Sequence, residues 1–170
     1  NVNKTLTIKK GSYGDIKIEI GWPLEDNYTI TYDFNGWKYE EGVDYTKEYN
    51  IESPSFELIN PTRLGYEFTG WSGTGLTGEN NMTVSIPKGS TGNRTYTAHW
   101  KAIEYTITYV VGEGQIDANA LTKYTIEQEI SIPNATNANS EFTGWTVTNS
   151  IANGPTFTGK DIVIPVGTYG

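Results

Sequence analysis

In almost every apolar segment of this chain, hydrophobic residues recur at every second position, the signature of a strand that buries one face and wets the other. Over Tyr28–Phe34, the side chains of Tyr28, Ile30, Tyr32 and Phe34 share one face while Thr29, Thr31 and Asp33 share the opposite one. Tyr105, Ile107, Tyr109 and Val111 repeat that alternation. Arg94–Trp100 buries Tyr96, Ala98 and Trp100 by the same rule, and Asp15–Trp22 buries Ile16, Ile18, Ile20 and Trp22. These are largely β-branched and aromatic residues, which fit a pleated, half-buried surface. Turn residues punctuate the strands: Asn35-Gly36, the Pro61 to Gly65 loop, and Gly73, Gly75 and Gly78 after Trp71. Lys88–Gly92 reads as a connection between Met82–Ile86 and Arg94–Trp100. The helix candidates are short, Glu40–Tyr49 and Ala118–Leu121, and neither carries a sustained 3.6-residue stripe. The pattern predicts a mainly β (α+β) fold of mostly antiparallel strands with at most one short helix per module.

The pattern also repeats. Asn81–Trp100 aligns without gaps on Asn3–Trp22, and the same displacement carries Thr83–Gly92 onto Asp161–Gly170. YTITY at Tyr28–Tyr32 returns at Tyr105–Tyr109, and FTGW at Phe68–Trp71 returns at Phe142–Trp145. Tandem modules of roughly 75 residues follow. The division reads as 1–22, closing strands of a preceding repeat; 23–102, a first full module; and 103–170, a second module lacking its closing strand. Units of this size can bury a thin core of their own, unlike solenoid repeats of about 20–45 residues.

Composition narrows the function classes. A formal net charge of −8 and a pI near 4.6 argue against a nucleic-acid partner, which requires a basic patch. With no cysteine, disulfides, zinc thiolates and cysteine nucleophiles are excluded. No apolar run reaches the length of a membrane span, so no membrane insertion is expected within this segment, and the first residues show no signal-peptide pattern.

Three stretches together resemble the Listeria–Bacteroides repeat of internalin-like and other bacterial surface proteins: YTITYDFNG at Tyr28–Gly36, NPTRLGYEFTGW at Asn60–Trp71 and RTYTAHW at Arg94–Trp100. They span the first module. The second departs from the pattern, with VVGEG at Val110–Gly114 in place of a polar NGG turn and no NPTRxGY lead-in. The resemblance implies small β-grasp-like modules strung in tandem in secreted or wall-attached proteins, serving as stalks, spacers or adhesive surfaces, with no catalytic residues to carry over.

Candidate chemistry is sparse. His99, the only histidine, alternates onto the polar face opposite Tyr96, Ala98 and Trp100, as a surface residue would. The acidic groups Glu25-Asp26 and Glu40, Glu41, Asp44 lack the alternating oxygen ligands and central glycine of a calcium loop, and no carboxylate pair stands out for glycoside hydrolysis. Gly73, Gly75 and Gly78 match the letters GxGxxG but precede a strand, so the helix N-terminus that cradles phosphate is missing. No cofactor or metal is expected. Trp71 and Trp145 are equivalent, as are Trp22 and Trp100, which reads as a repeated core anchor. Trp37 has no counterpart and neighbours Tyr39, Tyr45 and Tyr49; local packing is the first reading, and an exposed patch of these four, stacking on a host glycan or gripping a host protein, is the alternative.

The phase of the repeat raises a second expectation. Asp15–Trp22, with Ile16, Ile18, Ile20 and Trp22 facing inward, copies the strand expected after Gly170, so one molecule would complete the 105–170 module of the next in a head-to-tail filament. The alternative is a piece of a longer tandem array. Either way the sequence predicts a non-enzymatic repeat protein of the bacterial surface whose main partner is itself. An adhesin acting through Trp37 is the alternative.

Overall fold

The computed structural model describes residues 6–18, 27–38, 41–148, 154–158 and 160–170. Among these, eleven strands form and no helix does. The first four-stranded sheet is built from β1 (Tyr28–Asp33), β2 (Glu48–Tyr49), β4 (Tyr66–Gly73) and β6 (Arg94–Ala102), in the order β2-β1-β6-β4. Its central pair is parallel, with Ile30 opposite Arg94 and Tyr32 opposite Tyr96, whereas β2 and β4 run antiparallel to their neighbours. The β3 (Phe56–Glu57) and β5 (Ser85–Ile86) strands form a separate antiparallel pair.

The expected alternation is realised in this repeat. Ile30, Tyr32 and Phe34 are buried along β1 and its continuation, as are Tyr96 and Ala98 on β6, while the threonines between them are exposed or half-buried. They join Tyr45, Tyr49, Leu58, Trp71, Val84 and Ile86 in one core. Aromatic rings meet edge to face across it: Trp71 lies 6.1 Å from Phe34 and 5.4 Å from Phe68, and Phe68 lies 5.5 Å from Trp100. Such pairs add about 0.5–1.5 kcal/mol each beyond simple burial.

The second repeat is assembled from β7 (Tyr105–Thr106) paired with β8 (Lys123–Tyr124), and from β9 (Ile130–Ile132), β10 (Thr156–Thr158) and β11 (Asp161–Ile164) in the order β10-β11-β9. Tyr124, Ile130, Ile132, Ile162 and Ile164 make a distinct core, with Tyr105, Ile107, Tyr109 and Trp145 partly buried against it. The β9–β11 pair reproduces β3–β5, with Ile164 opposite Ile130 as Ile86 is opposite Phe56.

Both helix expectations are corrected. Of Glu40–Tyr49, residue 40 lies outside the described set, and 41–49 form a turn, an extended run and β2. Val43 and Tyr45 turn inward on either side of exposed Asp44, and Tyr49 reaches the core from β2, where it stands opposite Tyr28; extended chain, not a helix, carries all three. Ala118–Leu121 is a turn held by its own aspartate: Asp117 Oδ1 accepts from Asn119 N at 2.7 Å and the Asp117 carbonyl from Ala120 N at 2.9 Å. The fold is mainly β. The helix that would make it α+β does not appear among the described residues.

Candidate functional site

The surface feature nearest to a binding site grows out of the turn after β1. Asn35 (φ 51°) and Gly36 (φ 80°) both enter the left-handed region, and Asp33 Oδ1 accepts from Asn35 N at 2.8 Å, fixing the turn. The chain leaves it at Trp37, which is 39 % exposed. Trp37 flanks an open groove of about 870 Å³, together with Lys38, Glu41, Arg63, Leu64 and Trp100.

Arg63 organises this groove. Its guanidinium carbon sits 3.7 Å from the Tyr66 ring centre, 5.4 Å from that of Trp37 and 5.9 Å from that of Trp100. Cation–π attraction of this kind contributes about 0.5–2 kcal/mol, more where water is excluded. The Arg63 Nε is buried without a hydrogen-bond partner, so the stacking rings are what stabilise it. Leu64 beside it is 59 % exposed.

Tyr45 and Tyr49 do not join Trp37 in the exposed patch that the sequence offered as an alternative. Tyr45 and Tyr49 are 2 % and 3 % exposed, and belong to the core. Tyr45 packs 5.6 Å from Tyr32 and 5.2 Å from Phe34; Tyr49 gives its hydroxyl proton to the Gly92 carbonyl and accepts from Arg94 Nε at 2.7 Å. Contacts with the core turn both rings inward. Tyr39 lies outside the described residues. Of the expected assembly strand, Ile16 and Ile18 are 56 % and 62 % exposed in a stretch that forms no strand over residues 6–18, while Ile20 and Trp22 lie outside the described residues.

His99 lies on the polar side of β6, half-buried, as alternation predicts. Ser72 Oγ and His99 Nε2 are 2.7 Å apart, and His99 Nδ1 is 3.7 Å from Glu79. A nucleophile–base pair needs its third group in firm hydrogen-bond contact and buried. Glu79 is beyond that distance, with a side chain 71 % exposed, so the row is a cross-strand polar contact screened by water. Among the described residues, no group of three or more His, Cys, Asp or Glu side chains could hold a metal ion.

A contact that sequence reading missed joins the two repeats. Tyr66 donates its hydroxyl proton to Glu127 Oε1 at 2.9 Å. Gly65, at φ 75°, faces Ile126 so closely that a Cβ built there would lie 2.5 Å from Ile126 Cδ1. Ile103 N donates to the Gly65 carbonyl at 2.9 Å and holds the connecting chain against this loop. Burial and the bond to Glu127 raise the Tyr66 pKa above its ordinary value, while Arg63 opposes them. The signal lay in the NPTRLGY stretch: the second repeat carries Asn137, Asn139 and Ser140 where the first has Arg63, Gly65 and Tyr66.

The chain is therefore a tandem pair of small β repeats with separate cores and a specific joint. The Listeria-Bacteroides repeat domain matches it twice, over residues 28–99 and again over 105–164, and the chain belongs to that family. The family is found in bacterial surface proteins and its modules are typically structural and non-enzymatic. No curated protein and no solved structure matches the chain. No helix among the described residues is long and apolar enough to cross a membrane.

Proposed function

We propose that this chain is an extracellular, non-enzymatic spacer of a bacterial surface protein. Its division would be that read from the sequence: residues 23–102 as one module, 103–170 as the next, and 1–22 as closing strands of a preceding one. The observation that carries this reading is the joint at Gly65, Tyr66, Ile126 and Glu127, which links two separate cores through a specific contact, as a stalk requires. Each repeat would be a β-grasp-like unit, a reading supported by the parallel central pair β1–β6 flanked by antiparallel strands.

Self-assembly is the finer part of the proposal. In the first repeat β6 lies between β1 and β4 and supplies Tyr96, Ala98 and Trp100 to the core. In the second, Asp15–Trp22 of a neighbouring molecule takes the equivalent place and brings Ile16, Ile18, Ile20 and Trp22. Four such side chains contribute on the order of 6–12 kcal/mol of gross burial. Ordering the strand offsets much of this, at about 1–2 kcal/mol per residue, so backbone pairing must supply the balance. Light scattering on the full chain and on a variant lacking residues 1–22 tests it. Concentration-dependent oligomers lost with the deletion are expected; a monomer in both cases overturns the assembly and leaves the spacer.

A second reading rests on the groove at Trp37. Its exposed indole, the neighbouring Leu64 and the charged rim of Lys38 and Glu41 suit a glycan or a host protein surface. Binding on a glycan array that disappears in Trp37→Ala supports the adhesin. An array unreactive towards the full chain removes the glycan form of that reading.

A further inference from the structure

The turn that follows β8 in the second repeat is the seat of the joint, and the first repeat carries the same turn. Tyr124 corresponds to Tyr49, so the sequences Tyr124-Thr125-Ile126-Glu127 and Tyr49-Asn50-Ile51-Glu52 align, with Ile and Glu in the same places. Three hydrogen bonds of the surroundings correspond. Gly167 N donates to the Ile126 carbonyl at 2.7 Å, and Gly89 N to the Ile51 carbonyl at 3.0 Å. The Tyr124 hydroxyl donates to the Gly170 carbonyl, and the Tyr49 hydroxyl to the Gly92 carbonyl. Each turn is also closed from within: Thr125 N donates to Gln128 Oε1 at 2.9 Å, as Asn50 N does to Ser53 Oγ at 3.0 Å.

The same built surface therefore occurs twice. In the second repeat it receives Gly65 and Tyr66 of the repeat before it. We infer that the Ile51–Glu52 turn of the first repeat is a docking site for the Arg-x-Gly-Tyr loop of another repeat of this kind placed ahead of it. The partner is defined chemically. It must present a glycine that lets backbone lie against the isoleucine side chain, and a tyrosine hydroxyl that donates to the glutamate. An arginine must stack on that tyrosine ring, as Arg63 stacks on Tyr66. The surface is directional, because the second repeat has Asn139 and Ser140 where the glycine and tyrosine would stand and so cannot be the donor. Nor is a second copy of this chain a ready donor, since its own Gly65–Tyr66 loop already covers Ile126.

The inference rests on the spacer reading and adds the geometry by which one repeat meets the next. Its test joins a second copy of residues 28–104 directly ahead of Tyr28, reproducing the connection that now precedes Tyr105. The core of the first repeat draws on residues from Tyr28 to Trp100, so the added copy carries a complete one. The readout is relaxation of the Ile51 and Ile126 methyl groups by a soluble paramagnetic probe. In the lengthened chain the Ile51 methyl should become several-fold less accessible than in the 170-residue chain. Gly65→Ala in the leading copy alone should restore its access. An Ile51 methyl equally accessible in both chains overturns the inference and leaves the spacer reading intact. A control within the 170-residue chain guards against misfolding of the added copy: Gly65→Ala must expose the Ile126 methyl, and unchanged protection there overturns the inference as well. Independent tumbling of the two repeats in the unmodified chain would instead remove the spacer reading itself.

Discussion

The two repeats share an aromatic cluster but not the sheet that encloses it. Trp71 lies 5.4 Å from Phe68 and 5.7 Å from Tyr32; Trp145 lies 5.4 Å from Phe142 and 5.8 Å from Tyr109, with interplanar angles that differ by only a few degrees. Yet Trp71 is fully buried on an eight-residue strand, whereas Trp145 is half-buried in a segment that forms no strand over residues 141–148. What differs is β6. It pairs with β1 on one side and β4 on the other, and among the described residues the second repeat shows no strand in that position. Side-chain packing sets the ring geometry, which is kept without long flanking strands. β1 runs six residues; its counterpart β7 runs two.

Removing the shared indole is the strongest way to probe this difference. Trp71→Ala empties a site closed on all sides and is expected to cost the first repeat about 3–5 kcal/mol. Trp145→Ala should cost the second repeat less than half as much, since its indole is already partly solvated. Denaturant unfolding followed separately for the two repeats by resolved NMR signals measures both; equal losses would mean that the second core is as closed as the first.

The glycine before each tryptophan sharpens the comparison. Gly70 and Gly144 have almost the same φ, 138° and 135°, and so pose the same backbone strain to alanine. They differ in surroundings. A Cβ at Gly70 would lie 2.5 Å from the Asn80 carbonyl carbon and the Asn81 nitrogen, whereas at Gly144 nothing lies within 4 Å. Strain of about 1–3 kcal/mol is common to both substitutions, and Gly70→Ala adds roughly 1–3 kcal/mol of overpacking. The excess of one loss over the other in thermal melts therefore reports crowding alone, and an excess near zero would show the Asn80–Asn81 backbone yielding freely.

Smaller still are the tyrosine hydroxyls. Tyr49→Phe removes a donor to Gly92 and an acceptor from Arg94, while Tyr124→Phe removes only the donor to Gly170. Losses of about 2 and about 1 kcal/mol respectively are expected from chemical denaturation. Alkali separates the same groups by charge. Burial raises the pKa of Tyr109 and Tyr124 above 10.0, and burial with the Glu127 bond raises that of Tyr66. A raised value favours the neutral phenol in the folded state, so this stabilisation is complete below about pH 10 and lost as pH climbs through the raised values. Spectrophotometric titration should show these three ionising late, with the Tyr66–Glu127 joint and the second repeat loosening together above that pH. Ionisation at 10.0 with the joint intact would contradict it.

Much of the first repeat was legible in the chain because period-two alternation states which side chains turn inward. Ile30, Tyr32, Phe34, Tyr96 and Ala98 are all buried as that rule requires. The rule gives out across 43–49, where Lys47 falls on the inward phase and is exposed; the burial of Tyr45 and Tyr49 comes from Tyr32, Phe34 and Arg94, which lie apart from them in sequence. Other failures came from partners distant in sequence. Nothing local to Arg63 announces that Trp37, Tyr66 and Trp100 converge on it, and Gly65 reads as an ordinary loop glycine until Ile126 is seen against it. The Met82–Ile86 segment shortens to Ser85–Ile86, which pairs with Phe56–Glu57, and Leu58 N donates to the Val84 carbonyl just beyond it.

The parallel pairing of β1 with β6 also determines how a repeat answers a pull. These strands begin and end the repeat, and because they run in the same direction, the entry of one and the exit of the other lie at opposite ends of the sheet. Tension applied through the chain would drag them past each other along their length. The ladder hydrogen bonds then bear the load together instead of opening one after another from an end, and rupture must break them as a group. A repeat closed in this way would resist stretching along the chain through the whole β1–β6 ladder at once.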